Sequence, residues 1–392
     1  MTKILVITNY FPPEIGAAAN RIFLLCKFLQ HHYDLEVACP FPNYPTGKIL
    51  GNYKGLNVIE KVGGIKTHRF FIYPDNSPSP LKRAISMLSF SFSLWIMLFK
   101  GTAKKYDKII VQNSPLFVSF SSIILFKFLL KKVIILNVSD LWPGSAIDLG
   151  LMREKGLSHS IFKVVEKFNY KSSDKILGQS FEILKHVKKI SSSPTFLYRN
   201  LPEQKTEVKP KKFRNSKVKF FYAGLLGSAQ GILNIVKIIN SINEEFEFHI
   251  YGDGNEKKQL EHYLIQYQSK KIYYHGALQK DQLIKRIHKY DFAIVPLTKN
   301  IKGAFPSKIY EYVSLGIPII YLGQGEAKKF ILDNGVGYVL DNSDLEGLKL
   351  LISKIAQNKH ENYLTLSKNC IEISKKQLSF NKQFCGLLNF ID

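Results

Sequence analysis

The sequence predicts an α/β protein built from two doubly wound parallel-sheet (Rossmann-like) domains facing across a cleft. Three observations carry this prediction. The chain has 392 residues, too many for one ordinary core and suited to two. Short, nearly continuous apolar runs alternate with helical segments, the pattern of parallel strands buried on both faces. One polar, charged, proline-bearing stretch, "PEQKTEVKPKKFRNS" at 202–216, interrupts that rhythm, which then restarts.

Taken in order, "KILVIT" (3–8) is a strand, followed by the loop "NYFPPEIGAAAN" and a helix from about residue 17 to 30. Strands follow at 34–39, 107–113, 132–138 and 174–180, with helical segments between most of them. Beyond the interruption, strands are expected at 217–224, 246–254, 271–276, 291–297, 317–323 and 337–341. The expected organisation is a first domain over 1–201, a linker over 202–216 and a second domain over 217–375. A last helix at about 376–392 is expected to pack back on the first domain.

Composition narrows the function classes. With 45% hydrophobic, 13% aromatic and 22% charged residues, the chain belongs with folded proteins rather than disordered ones. Cys26, Cys39, Cys370 and Cys385 are scattered without CxxC spacing, so neither a metal site nor a disulfide framework is implied and a reducing cytoplasm is expected. The N-terminal apolar run is broken by prolines and does not read as a signal peptide. "AISMLSFSFSLWIMLF" (84–99) is interrupted by serines and is shorter than the ~20 residues of a spanning helix. Lysines and Arg83 flank it, so both a core helix and an interfacial, membrane-facing segment remain open for it. The net charge is +24, and the first 200 residues hold 27 Lys and Arg against 12 Asp and Glu. Such an excess favours an anionic partner: nucleic acid, an acidic membrane face or a phosphorylated substrate.

Open α/β sheets bind ligands beyond the carboxyl ends of their strands, so the loops after the strands deserve the closest reading. In "GAFPSKIYEYVSLGIPII" (303–320), Pro306 fits a first helical position. The N–H groups of Ser307, Lys308 and Ile309 would then point out of the helix with its positive dipole end, and Lys308 adds a full charge. Glu311, three residues on, suits vicinal hydroxyls such as those of a ribose. The stretch reads either as a nucleoside-diphosphate site or as an ordinary capped helix with an i,i+3 ion pair.

Two glycine-rich loops end the first two strands of the second domain, "YAGLLGSAQG" (222–231) with Gly224 and Gly227, and "YGDGNEKKQLE" (251–261) with Gly252 and Gly254. Neither matches a dinucleotide fingerprint or a P-loop. In the first domain, "FPPEIGAAANR" (11–21) opens a helix with Gly16 and small residues, which allow close backbone approach. "SDLWPGSAIDLG" (139–150) delivers Asp140 at a strand end, as a catalytic group or a turn former. Glu14, His68 and Arg69 are candidates for the acceptor side; a solvated loop is the competing reading for the last two.

These segments, in this order over nearly the whole chain, resemble a bacterial family 4 glycosyltransferase with the GT-B fold. The nearest likeness is to the O-antigen and capsule branch that includes N-acetyl-L-fucosamine transferases. The resemblance implies retaining transfer from a nucleotide sugar, usually UDP-linked, without a metal or other cofactor. It implies a lipid-diphosphate-linked sugar acceptor, with the protein cytoplasmic and peripheral on the anionic inner face of the cell membrane. By position, Glu311 matches the ribose-binding glutamate, and Ser307 and Lys308 the diphosphate-facing turn. Gly16, Gly224, Gly227, Gly252 and Gly254 fall on the donor-nucleotide loops, and Asp140 on the acceptor-side aspartate. Lys308 and Asp140 are the expected catalytic groups.

Three positions depart from the family pattern. Gly303 stands where many relatives have a glutamate that contacts the transferred sugar, so the backbone of Gly303, Ala304 and Phe305 is expected to replace it. Leu225 and Gln230 stand near the places of a common Arg and Lys, which leaves more of the diphosphate charge to Lys308. Gly144 replaces a glutamate after "DLWP". Two other function classes compete with this one. A UDP-N-acetylhexosamine 2-epimerase of the same fold would need a carboxylate and histidine cluster not visible here. A basic nucleic-acid-binding protein would need a recognisable binding module, and no nucleic-acid partner is expected.

Overall fold

A computed structural model describes residues 1–392 apart from 15, 45, 76–79, 204–216, 228–229 and 359–361. The chain divides into two compact units. One comprises Met1–Asn200, Lys302–Ala304 and Phe384–Asp392; the other comprises Leu201–Ile301 and Phe305–Gln383. The linker expected at 202–216 lies, from residue 204 on, outside the described residues.

The first unit has eight strands: β1 (Lys3–Ile7), β2 (Asp34–Pro40), β3 (Asn57–Val62), β4 (Ile65–Phe70), β5 (Lys108–Gln112), β6 (Val133–Val138), β7 (Lys175–Gly178) and β8 (Thr195–Leu197). Their order is β3-β4-β2-β1-β5-β6-β7-β8. All neighbours are parallel except β3 and β4, which form an antiparallel hairpin. The second unit has six parallel strands: β9 (Val218–Ala223), β10 (Phe246–Tyr251), β11 (Ile272–Tyr274), β12 (Phe292–Pro296), β13 (Ile319–Leu322) and β14 (Gly337–Leu340). They lie in the order β11-β10-β9-β12-β13-β14. In β1 every residue after Lys3 is buried, as a strand covered on both faces requires.

The segment 84–99 resolves largely as core. It lies in a helix at Pro80–Ser93 and a short helix at Ile96–Phe99, and Phe90, Leu94 and Met97 are buried in the first unit's hydrophobic core. Phe92 and Phe99 remain exposed. Among the described residues no helix is long and apolar enough to cross a membrane. The last helix is Phe380–Ile391, and its Phe384, Leu387 and Ile391 are fully buried. Phe384 packs on Phe28 with ring centroids 4.0 Å apart, and Lys108 and Lys175 donate to the Ile391 carbonyl at 2.9 and 3.2 Å. Each such buried apolar side chain contributes about 2 kcal/mol.

The hairpin corrects two expectations. His68 and Arg69, expected near an acceptor or in a solvated loop, both lie in β4 and are buried. Gly63 and Gly64, with φ of 57° and 87°, make the two-residue turn that favours glycine. Arg69 binds Glu60 across the hairpin at 2.7 Å and also reaches the Pro12 carbonyl. His68 Nε2 lies 2.6 Å from Glu36, which also accepts from Lys105 at 2.6 Å and from the Tyr106 hydroxyl at 2.7 Å. These groups hold β2, β4 and the approach to β5 together and leave nothing for a ligand.

Burial alone would push the Glu36 carboxyl up, but its hydrogen bonds from His68, Lys105 and Tyr106 outweigh burial and hold it well below the usual carboxylate range. A carboxyl whose pKa falls on folding stabilises the fold above its unfolded pKa and loses that contribution as the pH drops through the folded value. Glu36→Gln should therefore lower stability by about 3 kcal/mol at neutral pH. The gap should narrow as the pH falls below about 4. Urea midpoints of the two proteins across pH measure this, and a constant gap would remove the assignment.

Candidate nucleotide-diphosphate site

The second unit gathers three loops at the carboxyl ends of β9, β10 and β12. After β9, the Gly224 N–H donates to the Tyr251 carbonyl at 2.8 Å; after β10, the Gly252 N–H donates to the Gly276 carbonyl at 2.9 Å. Leu226 N–H binds the Asp253 carbonyl at 2.9 Å, and Glu256 N–H returns to the Leu226 carbonyl at 3.0 Å. The two glycine loops are thus laced to each other through backbone. Gly252 and Gly254 have φ of 150° and 158°, and a Cβ on either would strike the backbone carbonyl of Gly224 or Leu226. Their lack of a side chain is demanded first by this close approach. Gly227 accepts from the Gln230 and Gly231 N–H groups at 2.9 and 3.1 Å.

The third loop leads into the helix Ser307–Ser314. Pro306 caps this helix rather than filling its first position, and its carbonyl takes the Ile309 N–H at 3.0 Å. The expected trio of outward N–H groups therefore shrinks to Ser307 and Lys308. Lys308 extends to the end of β9, where its ammonium donates to the Ala223 carbonyl and lies 5.5 Å from the Tyr222 ring centroid. Burial pushes its pKa down to about 8, and the Glu311 charge works against that fall. Gly224 leaves the room this requires, since a Cβ there would collide with Lys308 Nζ and the Tyr222 hydroxyl. Tyr222 is fixed in turn by donating to the Leu225 carbonyl at 2.6 Å. Glu311 is half-buried, one turn further along the same helix.

The side chain of Phe305, whose backbone is expected near a donor sugar, is core: it is 5% exposed and stacks on Tyr310 with ring centroids 4.2 Å apart. Gly303 and Ala304 belong to the first unit. There the Gly303 carbonyl accepts from the Ser180 hydroxyl at 2.9 Å, and its N–H donates to Glu182 at 2.8 Å. Both backbone groups of Gly303 therefore already have a partner within the first unit.

In the first unit, Gly16 caps the helix Ala17–Leu29 with extended backbone, and a Cβ there would meet only Tyr44 at 3.7 Å. Glu14 is a buried tie between loops rather than an open acceptor group. One carboxylate oxygen accepts from the Asn43 and Tyr44 N–H groups at 2.8 and 2.9 Å, the other from Phe11 N–H at 3.2 Å. Burial nevertheless pushes its pKa up. Asp140 is exposed beyond β6 and accepts from the Ser139 hydroxyl at 3.1 Å.

Sequence reasoning missed Arg21. It is 5% exposed, and its Nε and Nη2 have no hydrogen-bond partner among the described residues. Burial lowers its pKa while the charge of Asp140 raises it, which couples the helix to the β6 loop. Its signal was a lone arginine within the buried face of "AAANRIFLLCKFL". His275, stacked on Tyr251 at 4.6 Å beside the Gly252 loop, was also missed. Among the described residues no group of three or more His, Cys, Asp or Glu side chains is arranged to hold a metal ion.

Residues 203–377 match the family described as glycosyl transferases group 1. WbjE of Pseudomonas aeruginosa, named as a glycosyltransferase, is 23% identical over 340 residues, covering 79% of this chain and 84% of WbjE. WcaI of Escherichia coli K12, named as a colanic acid biosynthesis glycosyl transferase, is 22% identical over 334 residues, covering 80% and 81%. Among solved structures, Anabaena HepE in complex with UDP superposes with a TM-score of 0.70 at 12% identity, covering 100% of this chain and 99% of HepE. The chain has the GT-B fold, with a glycosyl transferases group 1 domain over residues 203–377.

Proposed function

We propose that this protein is a retaining glycosyltransferase that moves a sugar from a UDP-sugar to a lipid-diphosphate-linked acceptor in surface polysaccharide assembly. The observation that carries the reading is the Lys308 ammonium held at the end of β9, beside Gly224, with Glu311 one turn along the same helix. The naming of WcaI for colanic acid biosynthesis and the UDP bound by HepE support the substrate class. The transferred sugar is an N-acetylated one, N-acetyl-L-fucosamine in the branch that the sequence resembles. The protein acts at the cytoplasmic face of the cell membrane.

The chemistry follows from where charge develops. As the bond between the sugar C1 and the β-phosphate oxygen breaks, negative charge builds on the diphosphate. Lys308 and the N–H groups of Ser307 and Lys308 stabilise it more than they stabilise the intact donor. In this reading, as the family resemblance implies, no metal cofactor takes part. The acceptor hydroxyl attacks C1 from the face that the leaving group vacates, and its proton passes to a diphosphate oxygen. Asp140 orients that hydroxyl. Glu311 accepts hydrogen bonds from the ribose hydroxyls.

The direct test is a panel of nucleotide sugars with a short lipid-diphosphate acceptor, read as donor-dependent product; no product from any donor would overturn the reading. Glu311→Ala should weaken UDP binding about tenfold or more by calorimetry, the loss of charge-assisted hydrogen bonds. Unchanged affinity would remove the ribose assignment.

Two variants probe the ammonium. With a pKa near 8, Lys308 is charged below that value and neutral above it. The kcat/KM for donor should therefore be level at lower pH and fall above pH 8, and this limb should vanish in Lys308→Ala, whose kcat drops about a hundredfold. Gly224→Ala displaces the ammonium tip and the Tyr222 hydroxyl, whose side chains are the nearest atoms to the added Cβ, so circular dichroism should be unchanged while kcat falls. Full turnover in Gly224→Ala would separate Lys308 from leaving-group stabilisation.

A further inference from the structure

One face of the first unit combines exposed apolar side chains with lysines that have no ion pair among the described residues. The helix Leu157–Lys171 turns Val165, Glu166, Asn169 and Tyr170 inward. Outward it shows Leu157, Ile161 and Val164, which are 81%, 46% and 67% exposed. The spacing i, i+4, i+7 puts these three on one stripe. Phe168 continues the stripe and packs against Phe128 with ring centroids 5.9 Å apart, and Phe128 and Leu129 are themselves about half exposed. The apolar strip therefore runs off one helix onto the end of another.

Lys163, Lys167 and Lys171 are exposed on the same helix. Its one carboxylate, Glu166, is buried and bound to His186 at 2.8 Å, so the solvent face carries no acid. An apolar stripe bordered by lysines is the pattern of a helix that lies in a lipid headgroup region, with methylenes down and ammonium groups level with phosphates. A second copy of the chain is the poorer occupant. A two-fold contact through this stripe would bring the two lysine rows together, on a chain already at +24. For nucleic acid, the wholly aliphatic stripe of Leu157, Ile161 and Val164 is a poor match, with Phe128 the one exposed ring beside it.

We propose that the helix Leu157–Lys171, with Phe128 and Leu129, is the surface by which this protein docks on an anionic lipid bilayer. The proposal rests on the lipid-linked acceptor of the functional reading, because a protein that takes a membrane-borne acceptor gains from residence at the membrane. The bilayer contact is made by exposed side chains and requires no rearrangement of the core.

The test is cosedimentation of the full chain with vesicles of phosphatidylcholine, with and without about 30% phosphatidylglycerol, at about 0.1 M salt. The wild type should pellet with the anionic vesicles and largely stay in solution with the neutral ones. Ile161→Glu combined with Val164→Glu should weaken binding about tenfold or more, and Lys163→Glu with Lys167→Glu should do the same. Circular dichroism and UDP affinity, unchanged in both, exclude misfolding. Vesicle binding by the variants at wild-type strength would overturn the proposal. So would a dimer in sedimentation that Ile161→Glu dissolves while lipid binding persists. Because the readout is lipid binding, it separates the two readings: a chain that docks but transfers no sugar refutes the enzyme assignment alone.

Discussion

Lys308 carries its charge into the carboxyl end of β9, and burying an ammonium costs free energy that nearby groups must offset. Here the Ala223 carbonyl takes a proton of the ammonium, the Tyr222 ring lies within cation–π reach, and Glu311 adds favourable charge. The other features of this end of the sheet accommodate that arrangement. Gly224 has no side chain because the ammonium and the Tyr222 hydroxyl fill its Cβ space. Gly252 has none because the Gly224 carbonyl lies against it. A single buried charge thus fixes one loop, and that loop fixes the next. The ammonium is thus held in place by contacts within the second unit alone.

The first unit follows the opposite economy. Its polar side chains with the most functional look are consumed by the fold. Glu14 ties two loops through three backbone N–H groups, Arg69 clamps the β3–β4 hairpin, and His68 belongs to the Glu36 cluster. A buried charge that has all its hydrogen bonds within the protein has little left to give a substrate. Asp140 differs, being exposed with one side-chain hydrogen bond from Ser139 and a buried counter-charge in Arg21. Exposure, not residue type, separates the two groups.

Much of this was legible in the sequence because a parallel strand buried on both faces announces itself. "KILVI", "KIIVQ" and "VIILNV" have almost no polar interruption, and their strands lie within a residue or two of expectation. The β3–β4 hairpin was less legible because half its residues are polar, with Glu60, Lys61, Lys66, His68 and Arg69 along "NVIEKVGGIKTHRF". Its Gly-Gly turn between alternating residues was the available signal. The roles of the site glycines were not legible at all. Whether a glycine faces a phosphate or a neighbouring carbonyl depends on which loops meet, and strand order rather than local sequence decides that. β9 and β10 are neighbours, so their loops meet.

Gly303 shows how such a constraint bears on specificity. At this position the resemblance expects a sugar-binding glutamate. The backbone here has φ of 80°, and a Cβ would lie 2.9 Å from Ile183 Cγ1 and 3.2 Å from Leu141 Cδ1. A larger side chain would face both left-handed strain and two apolar neighbours. Its N–H and carbonyl are meanwhile held by Glu182 and Ser180. Restoring a glutamate would therefore mean changing the backbone and its partners together. The absence of the glutamate is part of how residues 302–304 fold, whereas the groups proposed to read the nucleotide, Lys308 and Glu311, share one helix.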